Sequence, residues 1–374
     1  MSKVETIVAN FKAIASNPKK AIADAQAKTG KPAVGVLPVY TPEEIIYAAG
    51  ALPVGCWGKA TKTISKARTY LPAFACSIMQ SIMEMELEGV YDDLKAVVVS
   101  SPCDTLKCMG QKWKGKCPVI QFVHPQNRGL ASANTFLVEE YKLVRQRLEE
   151  ALGVKITDEA INEAIEVYNE NRQATRKFLE VAASYPQIIT PVVRHAIMKS
   201  RFFMDKKDHT AAIKELTAEL EAMPVEAWNG KKVILTGITA EPDEFLEILE
   251  EFGLAVVADD LAQESRQVRV DVPDGDEDPL MRLAKQWQNM YGCSLATDRD
   301  KKRIPMLVEM VEKYGADALI YCQMKFCDPE EFDYPLLYTQ LENKDIRNLM
   351  IEIDQQANSL EQIRTRVQSF AEMM

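Results

Sequence analysis

The sequence predicts an α/β protein made of two similar doubly wound parallel-sheet domains joined by a helical segment. Three observations predict it. Short β-branched apolar runs alternate with helical patterns between residues 31 and 135, as expected of a parallel sheet covered on both faces. The same alternation resumes at Gly230, after a stretch that is helical throughout. Finally, a cysteine pattern recurs in both halves: Cys76-Ser77 and Cys103-Asp104 in the first, Cys293-Ser294 and Cys327-Asp328 in the second. In each half Cys-Ser is expected to precede a helix, and Cys-Asp to lie in a loop beyond the next strand. The halves therefore read as a duplicated domain.

Composition agrees with this plan. A chain of 374 residues is too long for one ordinary domain. With 47% hydrophobic and 27% charged residues it can build cores and a soluble surface. The net charge of −10 argues against nucleic acid or an anionic membrane as partner. No apolar run reaches the roughly 18 residues of a membrane span. The N-terminal stretch MSKVETIVANFKAIASNPKK lacks the apolar core and cleavage site of a signal peptide. A cytoplasmic location is expected. There the eight cysteines are better read as metal ligands or reactive thiols than as structural disulfides.

In order, residues 1–30 are assigned to N-terminal helices, 31–135 to a first α/β domain, 136–225 to a helical connector, and 226–374 to a second α/β domain. Residues 4–28 read as one or two polar helices. Ala33–Val39, Leu52–Trp57, Ala96–Ser101 and Pro118–Val123 are short apolar runs bounded by turn residues, hence strands. Thr41-Pro42-Glu43-Glu44 supplies an N-cap, a proline at the first helical position and acidic residues in the first turn. Cys76–Leu87 is a helix. Phe136–Leu152, Asp158–Ala183, Val192–Phe203 and Thr210–Met223 carry apolar residues at three- and four-residue spacing. They read as a connector or dimer arm without evident chemistry. Lys232–Gly237, Ala255–Asp260, Ala318–Cys322 and Leu349–Asp354 are the second set of strands, and Ser359–Met374 is a terminal helix. Both sheets are of the flavodoxin/Rossmann-like kind.

The chemistry is expected where strands end. Ser100, Ser101 and Pro102 stop the third strand and present Cys103 and Asp104, at the carboxyl edge where open α/β sheets bind ligands. Cys327 and Asp328 stand equivalently beyond ALIYC. A sulfur-liganded site between the two domains follows. Zinc sites favour close CxxC pairs, and this chain has none. The nearest pairs, Cys103/Cys108 and Cys322/Cys327, are five apart. Cysteines scattered over distant loops suit an iron–sulfur cluster held in a cleft. Cys56 and Cys117 read as small buried hydrophobes.

Several features point elsewhere and are set aside. Gly110–Cys117 nearly matches a phosphate-binding loop, but Cys117 replaces the magnesium-binding hydroxyl and the segment precedes a strand. No GxGxxG follows a strand. His124, His195 and His209 are far apart. His124, just after the fourth strand, is expected to hydrogen-bond or to line the crevice. Glu43 and Glu44 fit helix-dipole capping, with an active-site role as the alternative. The acidic stretch Asp274–Asp278 lacks calcium-loop spacing and reads as a solvated turn.

The segments TPEEIIYAAGALPVG, AFACSIMQS, VVVSSPCDTLKC, ADALIYCQMKFCDPEEFDYPLL and LMIEID together resemble the 2-hydroxyacyl-CoA dehydratase / benzoyl-CoA reductase family across nearly the whole chain. That resemblance implies an oxygen-sensitive heterodimer in which each subunit holds a [4Fe–4S] cluster on three cysteines. By motif these are Cys76, Cys103 and Cys327, with Cys322 and Cys293 as competitors for the third place or as neighbours of the open iron. It further implies removal of water from an (R)-2-hydroxyacyl-CoA, expected to be (R)-2-hydroxyisocaproyl-CoA, through a ketyl radical formed at the thioester. The chain is expected to act as the β subunit. Its cluster would relay an electron from an ATP-dependent iron–sulfur activator protein to a homologous α subunit that holds the substrate. Two other classes stay open: a homodimeric member reducing a small molecule through its own clusters, and a metal-free α/β scaffold.

Overall fold

A computed structural model describes residues 2–60, 63–355 and 360–374. In chain order its elements are α1 (Lys3–Ser16), α2 (Pro18–Thr29), β1 (Ala33–Val36), α3 (Glu43–Ala48), β2 (Leu52–Gly55), α4 (Ser77–Leu87), β3 (Ala96–Ser100), α5 (Asp104–Lys112) and β4 (Val119–Phe122). Four helices follow: α6 (Ser132–Leu152), α7 (Asp158–Ala182), α8 (Pro191–Ser200) and α9 (Lys206–Glu221). The chain continues through β5 (Lys231–Gly237), α10 (Asp243–Glu251), β6 (Leu254–Leu261), α11 (Pro279–Asn289), α12 (Arg303–Tyr314) and β7 (Ala318–Met324). It closes with α13 (Asp328–Glu342), β8 (Asn348–Ile353) and α14 (Glu361–Met373).

Each sheet has four parallel strands, ordered β2-β1-β3-β4 in the first and β6-β5-β7-β8 in the second. The two orders are the same topology, which confirms the predicted pair of doubly wound domains. In such a sheet the strand order reverses beside the first strand, and a crevice opens there at the carboxyl edge. All eight strands were legible because each carries a short apolar run, although β4 and β8 are only partly buried. The first sheet is buried throughout β1, β2 and β3. Gly237 ends β5 with φ +142°, and a Cβ there would lie 2.2 Å from the Cys322 carbonyl oxygen, so only glycine fits this turn.

One hydrophobic core joins the sheets. Val97 and Val99 of β3 belong to the same buried cluster as Val233, Leu235 and Ile320 of the second sheet. A second core carries a surprise: Leu280, Leu283 and Trp287 of α11 pack with Ile45, Phe122 and Tyr141 of the first half. The segment after β6 thus crosses to the first sheet, against the expectation of two self-contained halves.

Several local expectations are corrected. Asp104 is not a loop residue: Cys103 ends the loop after β3 as the N-cap, and Asp104 is the first residue of α5. Helix α3 begins at Glu43 with Pro42 at the cap, and the Thr41 hydroxyl donates instead to the Leu37 carbonyl at 3.3 Å. Helix α6 begins at Ser132 rather than Phe136, whose exposed ring hid the first turn. Helix α9 begins at Lys206, where Asp205 accepts from the Lys207 amide at 3.0 Å. Cys293-Ser294 does not open a helix, since α12 starts only at Arg303. Ser359, where the terminal helix was expected to begin, lies outside the described residues. No described helix is long and apolar enough to cross a membrane.

Because the sheets share one core, truncating a side chain in it should destabilise the chain as a whole. Leu235→Ala, at a position only 2% exposed, is expected to cost about 2–5 kcal/mol. Urea unfolding followed by circular dichroism measures this. A cost below about 1 kcal/mol would show that the position collapses freely and that the joint core is looser than drawn.

Candidate functional site

Three helices begin at one cavity. Cys76, Cys103 and Cys327 are the N-cap residues of α4, α5 and α13, and all three line a cavity of about 640 Å³ between the domains. Their carbonyls accept the first helical bonds, from Gln80 at 3.2 Å, Lys107 at 3.1 Å and Glu331 at 2.9 Å. Sequence places Cys103 after β3 and Cys327 after β7, the same strand in each sheet. The start of α4 is tied to the other domain, because Ser77 Oγ donates to Met324 Sδ at 3.3 Å and accepts from the Gln355 amide at 3.1 Å.

None of the three sulfurs makes a side-chain cap hydrogen bond, yet neighbouring helix amides act on them. The amides of Ile78 and Met79 favour the thiolate of Cys76, and those of Thr105 and Leu106 favour that of Cys103. These are the second and third helical positions in both cases. At Cys327 the second position is Pro329, which has no N–H, and only the Glu330 amide contributes. Burial works the other way and prevails. It pushes Cys76 up to about 12 and raises Cys103 and Cys327 as well. Cys327 is further raised by the charge of Glu330 and by Cys76 and Cys103 beside it. The cavity therefore gathers thiols whose ionisation calls for a cation.

No three His, Cys, Asp or Glu among the described residues are drawn together as a single metal ion requires. A lone ion with bonds of about 2.3 Å would need its sulfurs within about 4 Å of one another. Three cysteines around a 640 Å³ cavity fit a larger, multinuclear group, and cysteine thiolates are the usual ligands of iron–sulfur clusters. Cys322 does not line the cavity. It lies within β7, fully buried, with Gly237 and Ile351 as its strand neighbours. Cys293 does line it, delivered by the chain beyond α11. Cys56 is fully buried and Cys117 half-buried, as expected of structural thiols, while Cys108 is exposed.

A buried charged network backs the cavity wall. Asp260, at the end of β6, accepts from Arg266, Arg269 and Arg303 and from the Thr236 hydroxyl at 2.8 Å. Arg303 lines the cavity and reaches Glu330 at 3.1 Å and Asp333 at 2.9 Å. Ser294 donates to Glu330 at 2.6 Å. The three arginines hold the Asp260 carboxyl well below the usual carboxylate range. Three guanidiniums thus face three carboxylates.

At the carboxyl end of β1 stands Tyr40, half-buried with φ +64°. A left-handed backbone at an aromatic residue costs about 1–3 kcal/mol and persists only where surroundings impose it. Its ring lies 5.1 Å from that of Trp287, and its hydroxyl is 2.8 Å from Cys293 Sγ.

The helical stretch 136–225, read as devoid of chemistry, supplies buried charge to both halves. Glu44 pairs with Arg172 and Glu43 with Lys206 at 3.1 Å, so these carboxylates do more than cap a dipole. His124 is buried beside Trp287 at 4.4 Å with neither ring nitrogen hydrogen-bonded, and burial lowers it to about 3. It faces a small inner cavity of about 50 Å³ beside Tyr40, away from the cysteines. His195 contacts Glu264 at 2.8 Å and Glu241 at 3.3 Å. His209 bonds Asn171 at 2.8 Å. Asp274–Asp278 is exposed as expected, and Asp278 caps α11.

The fold is thus that of two α/β domains with a thiol-lined cavity between them. Comparison with known proteins is specific. The family described as "2-hydroxyglutaryl-CoA dehydratase, D-component" matches residues 38–374. The chain is 60% identical over its full length, and that of the relative, to the lactoyl-CoA dehydratase subunit beta of Anaerotignum propionicum. It is 44% identical to the (R)-phenyllactyl-CoA dehydratase beta subunit of Clostridium sporogenes, again over 100% of both chains. It is 36% identical to the (R)-2-hydroxyglutaryl-CoA dehydratase subunit beta of Acidaminococcus fermentans, over 99% of this chain and 100% of the relative. The chain belongs to the 2-hydroxyacyl-CoA dehydratase family and is a subunit of such a hydro-lyase.

His195 gives a pH signature. Its two hydrogen-bonded carboxylates, Glu241 and Glu264, outweigh the cost of burial and raise it to about 10. Unfolded, the imidazole titrates near about 6.5. Its protonated pairing therefore contributes stability in full below about pH 6.5, and this is lost as pH rises towards 10. His195→Gln is expected to flatten the stability profile across that window in urea unfolding, whereas the same slope in both proteins would show that His195 carries no extra proton.

Proposed function

We propose that this chain is the β subunit of a heterodimeric (R)-2-hydroxyacyl-CoA dehydratase, holding one [4Fe–4S] cluster on Cys76, Cys103 and Cys327. The observation that supports it is the arrangement of these three cysteines as N-caps of three helices around one cavity. What such a cluster supplies when bound is one-electron transfer, here between an ATP-dependent iron–sulfur activator and the homologous α subunit that holds the substrate.

This chain's residues prepare the place. The three helix N-termini direct backbone N–H groups and the positive ends of their dipoles at the thiolates, which favours an anionic group there. Partial burial of Cys76 and Cys327 lowers the effective dielectric around the sulfurs and makes each of those dipoles count for more. The Arg303 side chain, pinned by Asp260, Glu330 and Asp333, presents a fixed cation at the wall. The low potential required explains the partners. Reducing a thioester to a ketyl lies near the low end of what clusters reach, roughly −700 mV, so an ATP-driven donor is required. No described segment of this chain forms a nucleotide-phosphate loop: Gly110–Lys112 closes α5, and the residues after it lead into β4.

For the acyl group, the sequence resemblance favours (R)-2-hydroxyisocaproyl-CoA. A second reading, (R)-lactoyl-CoA, is favoured by the 60% identity to a lactoyl-CoA dehydratase subunit. In both the acyl pocket belongs mainly to the α subunit.

Purified without oxygen, the chain is expected to carry about four irons and four sulfides. Cys76→Ala, Cys103→Ala and Cys327→Ala should each lose the iron, while Cys56→Ala and Cys322→Ala keep it. Iron retained in Cys327→Ala but lost in Cys322→Ala would break the ligand assignment. Reconstitution then tests the division of labour. This chain with activator and ATP should dehydrate neither acyl-CoA until the α subunit is added, and turnover without that subunit would place the active site here.

A further inference from the structure

Cys293 is the cavity cysteine that the three-ligand assignment leaves unused, and the structure shows what its sulfur does instead. Although the residue lines the cavity, it is only 3% exposed. Its Sγ is 2.8 Å from Tyr40 Oη and 3.7 Å from Arg266 Nη1. Neither Tyr40 nor Arg266 lines the cavity. The thiol is therefore engaged from behind the wall.

Both holders are themselves fixed. Arg266 is fully buried, and its guanidinium is committed to Asp260, to the Asp260 carbonyl at 2.8 Å and to the Gly237 carbonyl at 3.1 Å. Tyr40 packs beside the paired Trp287 and His124 rings in a left-handed backbone. Strain at a residue whose hydroxyl meets one sulfur is placement that the fold maintains at a cost. Tyr40 comes from the carboxyl end of β1 and Arg266 from the segment after β6. The contact therefore spans both halves of the molecule.

We propose that Tyr40 and Arg266 form a latch that holds the Cys293 thiol away from the cofactor. The cluster keeps three protein thiolates, and its fourth position stays free for a small exogenous donor. Tyr40 is a positioning residue in this account. The inference rests on the cluster reading above, and it goes further by naming what keeps a fourth available thiol from ligating. Releasing the latch should let the Cys293 thiolate take the fourth position. An iron–sulfur bond forms, the exogenous donor leaves with the thiol proton, and no electrons move.

The test uses the anaerobically purified full chain as wild type, Tyr40→Phe, Cys293→Ser and the double variant. Each is treated with one equivalent of ferricyanide, which takes one electron per cluster and releases a ferrous ion where an iron lacks a protein thiolate. Released iron and the electron paramagnetic resonance of the product are read. Wild type and Cys293→Ser should each lose one iron per cluster. Tyr40→Phe, which removes only the hydroxyl, should resist that loss, and the double variant should lose one iron again. Loss of one iron from Tyr40→Phe as from wild type overturns the latch. So does a wild type that resists while Cys293→Ser does not, because Cys293 would then already be a ligand; this arm holds even if Tyr40→Phe fails to fold. An iron-free wild type would overturn the cluster reading and the latch with it, which separates the two failures.

Discussion

The arrangement turns on helix N-termini that converge on sulfur. A helix leaves its first amides without internal partners, and ordinarily a serine or aspartate oxygen meets them. Here cysteines occupy that place three times, at Cys76, Cys103 and Cys327, and their side chains face a common cavity. Partial burial makes all three thiols resist ionisation. The amides and helix dipoles oppose that resistance only in part. A cation-bearing group in the cavity would favour the anionic form of these thiols, as metal binding does wherever its ligands must lose protons.

The fold's role is to bring those three helix starts together. Two of them follow the third strand of their own sheet, β3 and β7, on the same side of the strand-order reversal. Two copies of one topology that face each other at their carboxyl edges automatically oppose these positions. The third start, α4, precedes β3 and is held to the opposite domain through Ser77, Met324 and Gln355. The shared core of Val97, Val99, Val233, Leu235 and Ile320 keeps the two edges in register. Without it the cysteines would belong to two separate surfaces.

Most of this was legible in the sequence. The eight strands showed as short apolar runs, and Cys103 and Cys327 showed as residues just beyond two of them. Cys76 as a ligand came from family likeness, whereas the Cys-Asp pair that recurs in both halves favoured Cys327 over Cys322. What stayed hidden depends on long-range placement. Trp287 and Leu283 carry an ordinary amphipathic pattern, and nothing local says that their apolar face packs on the other half's Ile45 and Phe122. The position of Cys293 follows from that crossing. The charges in the helical stretch were hidden for another reason. Arg172, Lys199 and Lys206 look like solvent-facing residues until the partners Glu44, Glu241 and Glu43 are seen buried against them. Buried ion pairs leave no periodic signature.

The network behind the cavity shows why such pairs are kept. Asp260, Glu330 and Asp333 against Arg266, Arg269 and Arg303 would be replaceable by apolar packing with little loss of stability, since desolvation cancels much of the attraction. Apolar side chains could not fix an electric field at the wall, however, nor hold Cys293 Sγ at 3.7 Å from a guanidinium. Removing one partner would strand its neighbour's charge in a dry interior, at about 3–5 kcal/mol. Each arginine is therefore locked in place by what its loss would expose. The cavity inherits that rigidity, because Arg303 and Glu330 join its wall to β5, β6 and β7 through Thr236, Asp260 and Tyr321. The same strand ends that define the crevice thus also set the charge around it.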